Sequence, residues 1–194
     1  MIPVSLTLEN FKSYRKGVPT LHLAGVHIAC LSGSNGHGKT SLLDAMTWAL
    51  WGSAIHNRQE ELVHIGEQDM RVELEFLAGG HSTSSGQDQE TGFGQGQLYR
   101  VIRRFARGRG ARAGATSLEL QVAVGPSVLR QAQDRLSSDQ YPSASSGQEF
   151  RGISGNSVRE TEATIRKLVG MDYDTFVNSA FLVQGRADEF TTKR

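Results

Sequence analysis

One segment of eight residues constrains this chain more than any other. Residues 33–40 read GSNGHGKT, which fits the pattern of Gly, four free positions, Gly, Lys and then Ser or Thr. At ordinary residue frequencies, a chance match in a chain of 194 residues has a probability on the order of one per cent. An apolar run, Val26 to Leu31, precedes the segment, and apolar residues at helical spacing follow it. This order of strand, loop and helix predicts a phosphate-binding loop.

Each position of the predicted loop has a physical task. Gly33, Gly36 and Gly38 let the backbone curl so that its amide hydrogens converge on phosphate oxygens, and the helix beginning at Lys39 adds its positive dipole end. Lys39 would place its charge between the β and γ phosphates, and Thr40 would offer a hydroxyl to Mg²⁺. The predicted phosphate site is completed by the other loop positions and the first helical turn: Ser34, Asn35, His37 and Ser41.

The residues on either side of the loop predict a buried strand and an amphipathic helix. The run Val26 to Leu31 is broken only by His27, as expected for a strand that is covered on both faces. Cys30 lies inside this run, so we expect it to be buried as a small hydrophobe. The helix after the loop would end at Gly52 in the left-handed conformation.

Alternating apolar residues predict further strands beside this unit. The alternation begins at Val4, and a second short strand is expected at Leu21 to Leu23. Three later stretches also alternate and predict an antiparallel meander: Arg71 to Phe76, Leu98 to Arg104 and Ser117 to Val124. A late helix is expected from about Asn156 to Val169, with Asn156 or Ser157 as its cap, Ile165 and Leu168 facing inward, and Gly170 as its end.

Two stretches near residues 79–97 and 125–152 are rich in Ser, Gly and Gln and poor in large apolar residues. They resemble each other, STSSGQDQ against SASSGQEF, which indicates related low-complexity insertions. We expect both to be loops that are disordered or poorly packed.

Composition restricts the partners and the compartment. Twenty-one Lys and Arg against 20 Asp and Glu leave a net charge of +1, so any nucleic-acid contact must be local. No signal peptide and no long apolar stretch are present in the sequence, which favours a cytoplasmic protein without membrane contact. The histidines show no metal-ligand spacing, and no zinc site is predicted.

Two local features bear on function. Residues 181–185, FLVQG, predict an apolar strand that ends in an amide and a glycine, and Gln184 could reach the metal at Thr40 if the two strands are neighbours. Six arginines lie between residues 100 and 112, interleaved with Tyr99 and Phe105. They could contact DNA phosphates, and a hairpin with a solvated basic face explains them equally well.

Three segments together resemble the amino-terminal lobe of SbcC-type ATPases, which belong with the SMC proteins among the ABC-type ATPases. They are NFKSYRK at residues 10–16, LSGSNGHGKTSLLDAMTWALWG at residues 31–52 and DYDTFVNSAFLVQGRADEF at residues 172–190. The resemblance implies an α/β fold of the P-loop NTPase class, in which residues 1–186 form the lobe with an antiparallel β subdomain. Residues 187–194 would then begin the segment that leads into a coiled coil.

The resemblance also implies roles for particular residues. Lys12 and Ser13 would approach the phosphates of ATP, and Gln184 would be a ligand of Mg²⁺ and act with Lys39 in catalysis. Lys12 stands where many relatives carry arginine, and His37 and Thr40 stand where serine is common.

The resemblance implies further that a carboxy-terminal lobe completes the ATPase. No strand ending in adjacent Asp and Glu and no LSGG-like signature is present in the 194 residues, so we expect the chain alone to hydrolyse ATP negligibly. In such proteins ATP joins two heads into a homodimer. The expected partners are DNA and an SbcD-type nuclease, in association with the nucleoid.

Two other functions remain open from the sequence. A non-nucleolytic SMC or RecF-like clamp would tether DNA with the same loop, although the FLVQG and DEF segments favour the nuclease-associated ATPase. A small-molecule P-loop kinase or a GTPase fits less well, because the chain has no NKxD motif for reading guanine and no lid-like arginine region.

Overall fold

A computed structural model describes residues 1–26, 28–54, 58–79, 96–108, 113–124 and 149–180. Its centre is a six-stranded sheet in which every neighbouring pair is antiparallel, in the order β2-β1-β3-β4-β5-β6. The strands are β1 (Ile2–Glu9), β2 (Leu21–His22), β3 (Asp69–Ala78), β4 (Gln97–Ala106), β5 (Ala115–Val124) and β6 (Glu149–Gly152).

The alternation in the sequence places one face of the sheet in the core. Leu6, Leu74, Val101 and Leu120 lie directly across from one another on β1, β3, β4 and β5, and each is at most 1% exposed. Strands with a period of two bury alternate side chains on one face. The predicted antiparallel meander is therefore confirmed, and β1 belongs to the same sheet.

Helices accompany the sheet in the described ranges: α1 (Lys39–Trp51), α2 (Gln59–Leu62), α3 (Val158–Val169) and α4 (Tyr173–Ala180). α1 contacts β3, β4 and α3, and its Trp48 and Leu50 are fully buried. Gly52 ends α1 at φ 69°, and its amide donates to the carbonyl of Trp48 at 2.8 Å, as expected for a glycine cap.

The late helix is also confirmed, with boundaries close to those predicted. The Ser157 side chain caps α3 by accepting from the Glu160 amide at 3.2 Å, and Gly170 ends the helix in the left-handed conformation. Ile165 is buried, and Leu168 packs partly buried against the core.

The predicted buried strand from Val26 to Leu31 is wrong. The described residues of this run form no strand, and Ile28 and Leu31 are 94% and 46% exposed. Cys30 is likewise exposed, which corrects its predicted burial. An apolar run becomes a buried strand only where other strands and helices cover it. No described strand pairs with the run from Val26 to Leu31.

The second predicted insertion is corrected at its end. Residues 149–152 form β6, which pairs with β5 from Gln121 to Val124. Residues 80–95 and 125–148, where disorder is predicted, lie outside the described residues.

None of the helices in the described ranges has the length and apolar composition that a membrane-spanning helix needs.

Candidate phosphate-binding site

The glycines of residues 33–40 take backbone conformations that other residues rarely adopt. Gly33, Gly36 and Gly38 have φ angles of 147°, 83° and 84°, in the region that favours glycine. α1 begins directly afterwards, at Lys39. Because the first amides of a helix have no partner within the helix, this turn presents N–H donors at the positive end of the helix dipole. The geometry suits an anion.

The Lys39 side chain folds back over the loop. Its ammonium donates to the carbonyl oxygens of Gly33, at 2.6 Å, and Ser34, at 3.0 Å. Both acceptors are neutral, whereas a phosphate oxygen is charged and forms a stronger hydrogen bond with an ammonium. A bound phosphate would therefore compete well for Lys39.

Tyr14 fixes the point at which the loop enters α1. Its hydroxyl donates to the Gly38 carbonyl at 3.2 Å, and a Cβ on Gly38 would lie only 3.1 Å from Cε2 of the Tyr14 ring. The backbone conformation thus favours glycine at this position, and a Cβ would also crowd the Tyr14 ring. Burial raises the pKa of the Tyr14 hydroxyl above its ordinary value, so the group remains a donor.

Lys12 lies against α1, and its partner is a carboxylate. Its ammonium forms an ion pair with Asp44, whose side chain is 2% exposed while that of Lys12 is 19% exposed. The neighbouring Ser13 is exposed. The structure therefore brings the segment that carries Lys12, Ser13 and Tyr14 to the amino-terminal end of α1.

The first turn of α1 contains the other predicted contacts. Thr40 is exposed and Ser41 is buried, so the Thr40 hydroxyl is the accessible oxygen of this turn. The described residues contain no group of three or more His, Cys, Asp or Glu that could hold a metal ion. Mg²⁺ usually takes one or two protein ligands together with phosphate oxygens and water. The loop thus fits Mg²⁺ only as a companion of a bound phosphate.

The remaining predicted site residues take different positions. Ser34, Asn35, Gly36 and His37 are exposed, and the His37 amide donates to the Ser34 carbonyl at 3.3 Å within the turn. Gln184 lies outside the described residues, so its proximity to Thr40 remains a prediction.

Sequence reasoning missed Asp44, Tyr14 and His64. Asp44 follows Thr40 by four residues, and this spacing places both on one face of α1. That signal was present in the sequence. Tyr14 contacts Gly38, which is 24 residues away in the sequence, and His64 contacts Lys12, which is 52 residues away. No rule of sequence spacing predicts such contacts.

The arginines of β4 are occupied by protein partners. Arg100 pairs with Glu73 and Glu75, and Arg104 pairs with Glu119. Arg103 is 1% exposed, which removes it from any contact with DNA. Arg107 donates to a backbone carbonyl of α2 at 2.8 Å, and Arg109 and Arg112 lie outside the described residues. The structure therefore favours a paired surface over a free basic one for Arg100 and Arg104.

Comparison with known proteins bears on the whole chain. A sequence profile of the AAA domain family matches residues 5–194. The chain belongs to the AAA domain family. This agrees with an α/β P-loop ATPase lobe, in which α1 follows a glycine-rich loop and the sheet is antiparallel.

Two relatives are similar over nearly the whole chain. The SbcC component of the SbcCD nuclease of Deinococcus radiodurans is 31% identical over 189 residues, which cover 96% of this chain and 16% of the relative. The DNA double-strand break repair Rad50 ATPase of Halobacterium salinarum is 29% identical over 185 residues, covering 95% of this chain and 16% of the relative. The chain thus spans about one sixth of the length of these relatives.

A solved structure of the recombination mediator RecF with ATP also shows a slight likeness. It has a TM-score of 0.42 and 15% identity, and the match covers 60% of this chain and 26% of that one.

Proposed function

We propose that this chain is the ATP-binding part of an SbcC-like ATPase that controls the processing of DNA double-strand ends. The observation that carries the proposal is the glycine turn at the start of α1, with Lys39 folded over it at 2.6 Å from the Gly33 carbonyl. Similarity to an SbcC protein and a Rad50 ATPase along nearly the whole chain gives this turn its biological setting.

In this proposal the chain's own residues bind and orient the phosphates of ATP. Backbone amides from Ser34 to Lys39 surround the phosphate tail, Lys39 neutralises its charge, and Lys12 and Ser13 approach it from the side. Thr40 and Gln184 would hold Mg²⁺, which when bound draws electron density from the phosphate oxygens and lowers the barrier to attack by water.

The exposed apolar run before the loop supports a second lobe. Val26, Ile28 and Leu31 present large apolar side chains to solvent next to the phosphate site, and such a cluster marks a surface that another element covers. The resemblance implies that a carboxy-terminal lobe completes the ATPase, and we propose that this lobe covers the apolar run. We propose further that two heads form a homodimer around ATP, that an SbcD-type nuclease is the partner, and that the protein acts in the cytoplasm at the nucleoid.

Titration calorimetry with Mg-ATP tests the proposal directly. The wild-type chain is expected to bind, and Lys39→Ala to lose about tenfold or more in affinity, because a charged hydrogen-bond partner of the phosphate is removed. Lys167→Ala is the matched control, since Lys167 is an exposed lysine in the last turn of α3. Equal affinities of wild type and Lys39→Ala would refute the phosphate site.

The second candidate function is that of a non-nucleolytic SMC or RecF-like clamp that tethers DNA. It shares the phosphate site, and its distinguishing property is the lack of a nuclease partner. Co-purification of a metal-dependent nuclease with the tagged protein is the result expected here; its consistent absence, with DNA tethering retained, would favour the clamp.

A further inference from the structure

The segment from Asn10 to Lys16 holds an unusual backbone. Asn10 and Lys12 have φ angles of 52° and 48°, a left-handed conformation that is uncommon outside glycine. Strain of this kind persists only where the surroundings enforce it, and it clusters at functional sites. We therefore infer that the surrounding contacts fix the conformation of this segment, and that this conformation has a functional role.

The end of α2 and the residues that follow it supply the enforcing contacts. The Lys12 amide donates to the Leu62 carbonyl at 2.7 Å, and the His64 amide donates to the Asn10 carbonyl at 2.8 Å. The Arg15 guanidinium donates to Nε2 of His64 at 3.0 Å. Since arginine can only donate, Nε2 accepts and Nδ1 carries the proton, which it donates to the Lys12 carbonyl at 2.6 Å.

The fixed backbone directs the Lys12 side chain to Asp44 on α1. Asp44 and Thr40 lie on one face of the helix, one turn apart. Side chains on a helix tilt toward its amino terminus, so the Asp44 carboxylate leans over the turn that contains Thr40 and Ser41. We therefore expect the Lys12 ammonium, which is bound to that carboxylate, to lie near the first turn of α1.

A buried carboxylate at this position would oppose phosphate binding on its own. The amino-terminal end of a helix attracts anions, and Asp44 places a negative charge one turn away with 2% of its side chain exposed. Buried charges are stable only when paired. Lys12 cancels the charge of Asp44, and Asp44 holds the ammonium at the phosphate end of the helix.

We propose that Asp44 is a positioning residue of the phosphate site, which acts through Lys12 to fix an ammonium beside the first turn of α1 for the phosphate tail of a nucleotide. This inference rests on the proposed function and deepens it. Lys12 is the group that meets the phosphate; Asp44 sets where Lys12 stands.

A double-mutant cycle in Mg-ATP affinity tests the coupling. We expect Asp44→Asn to bind about tenfold more weakly than wild type, because the ammonium is no longer held in place. Lys12→Met should bind at least as weakly, because it removes the ammonium itself. The double variant Lys12→Met with Asp44→Asn should be no weaker than Lys12→Met alone. Lys12→Arg should restore most of the affinity, since it retains the charge.

Two further measurements separate positioning from a purely structural role. Asp174→Asn, which changes an exposed carboxylate on α4, is expected to bind as wild type does. The melting temperature is measured for every variant, since a structural role would lower it and leave the affinity of the folded protein unchanged. If Asp44→Asn does not fold, Asp44→Glu retains the charge and shifts it by one methylene; it too should bind ATP more weakly.

Several outcomes would overturn the inference. One is an affinity for Mg-ATP in Asp44→Asn or Asp44→Glu that equals or exceeds that of the wild type. Another is a double variant whose loss of binding free energy equals the sum of the losses in Lys12→Met and Asp44→Asn. If the wild type binds ATP and Lys39→Ala does not, the proposed function survives any of these results. If the wild type does not bind, both the proposed function and the inference fail.

Discussion

Among single residues, Arg103 is a buried charge that contacts the carboxy-terminal end of α1. Its Nε donates to the Ala49 carbonyl near the end of α1 at 3.1 Å, and its Nη1 donates to Glu162 of α3 at 2.9 Å. Burial lowers the pKa of the guanidinium, and Glu162 opposes that shift. A cation at the carboxy-terminal end of a helix is favourable, so Arg103 fixes the helix whose other end carries Lys39.

Replacement of Arg103 is therefore expected to destabilise the fold strongly. Arg103→Ala should lower the free energy of unfolding by roughly 3 kcal/mol. It removes the buried partner of the ion pair with Glu162 and a guanidinium whose Cζ lies 5.8 Å from the centre of the Trp48 ring. Arg104→Ala is the matched control on the same strand; Arg104 and Glu119 are 42% and 44% exposed, and exposed pairs contribute about 0–1 kcal/mol. Urea unfolding measures both, and equal losses would contradict this account of Arg103.

Sequence alone predicts those site residues whose chemistry depends on a local pattern. The loop from Gly33 to Thr40 follows from its spacing, and the φ angles of its glycines agree with the conformations that the pattern requires. Tyr14 and Asp44 could not be assigned in this way, because their roles depend on a segment that folds back onto α1. The sequence also gives no sign of the left-handed backbone conformation at Asn10 and Lys12, since neither residue is a glycine.

At the scale of elements, helices with a cap residue and a glycine end were predictable, and short elements were not. α3 has Ser157 at its start and Gly170 at its end, which its sequence indicates. β6 has one large apolar residue, Phe150, whose ring lies under the Arg100 guanidinium at 3.6 Å. A strand of four residues with a single large apolar side chain gives no periodic signal.

The start of α4 predicts a response to acid. Asp172 accepts from the Thr175 amide at 2.8 Å, and the hydrogen bonds from Thr175 lower the pKa of this carboxyl below its ordinary 3.8. A lowered pKa means stability that is fully present above pH 3.8 and is lost as the pH falls through the folded value. We expect the Thr175 amide to lose protection from hydrogen exchange in that range.

Asp172→Asn supplies the control for this prediction. Asparagine also caps helices but does not titrate, so its Thr175 amide should keep the same protection across the acid range. An identical loss of protection in wild type and Asp172→Asn would show that the carboxyl is not responsible.

At the scale of the whole molecule, the described sheet and helices fix one end of α1 and leave the approach to the phosphate loop uncovered. The apolar run from Val26 to Leu31 was predicted to be buried because its composition resembles that of a central strand. Composition specifies the need for burial, but it does not say which part of a protein provides the cover. The exposed Ile28 is thus consistent with cover from a second lobe, as the proposed function holds.

Measurement of ATP hydrolysis tests the proposed need for a second lobe. Steady-state phosphate release by the 194-residue chain is expected to stay at the background rate, and Lys39→Ala should release phosphate equally slowly. The reason is that positioning and charge stabilisation around the transferred phosphate need groups on several sides, and the proposed function assigns some of these groups to a second lobe. Steady turnover by the chain that Lys39→Ala abolishes would disprove this expectation.

The central claim is that the turn at the start of α1 holds the phosphate tail of ATP. A crystal structure with Mg²⁺ and a non-hydrolysable ATP analogue tests it most directly. We predict that the phosphates lie against the amides from Ser34 to Lys39, and that the Lys39 ammonium leaves the Gly33 carbonyl for a phosphate oxygen. An analogue bound elsewhere, with Lys39 still on the Gly33 and Ser34 carbonyls, would contradict the account.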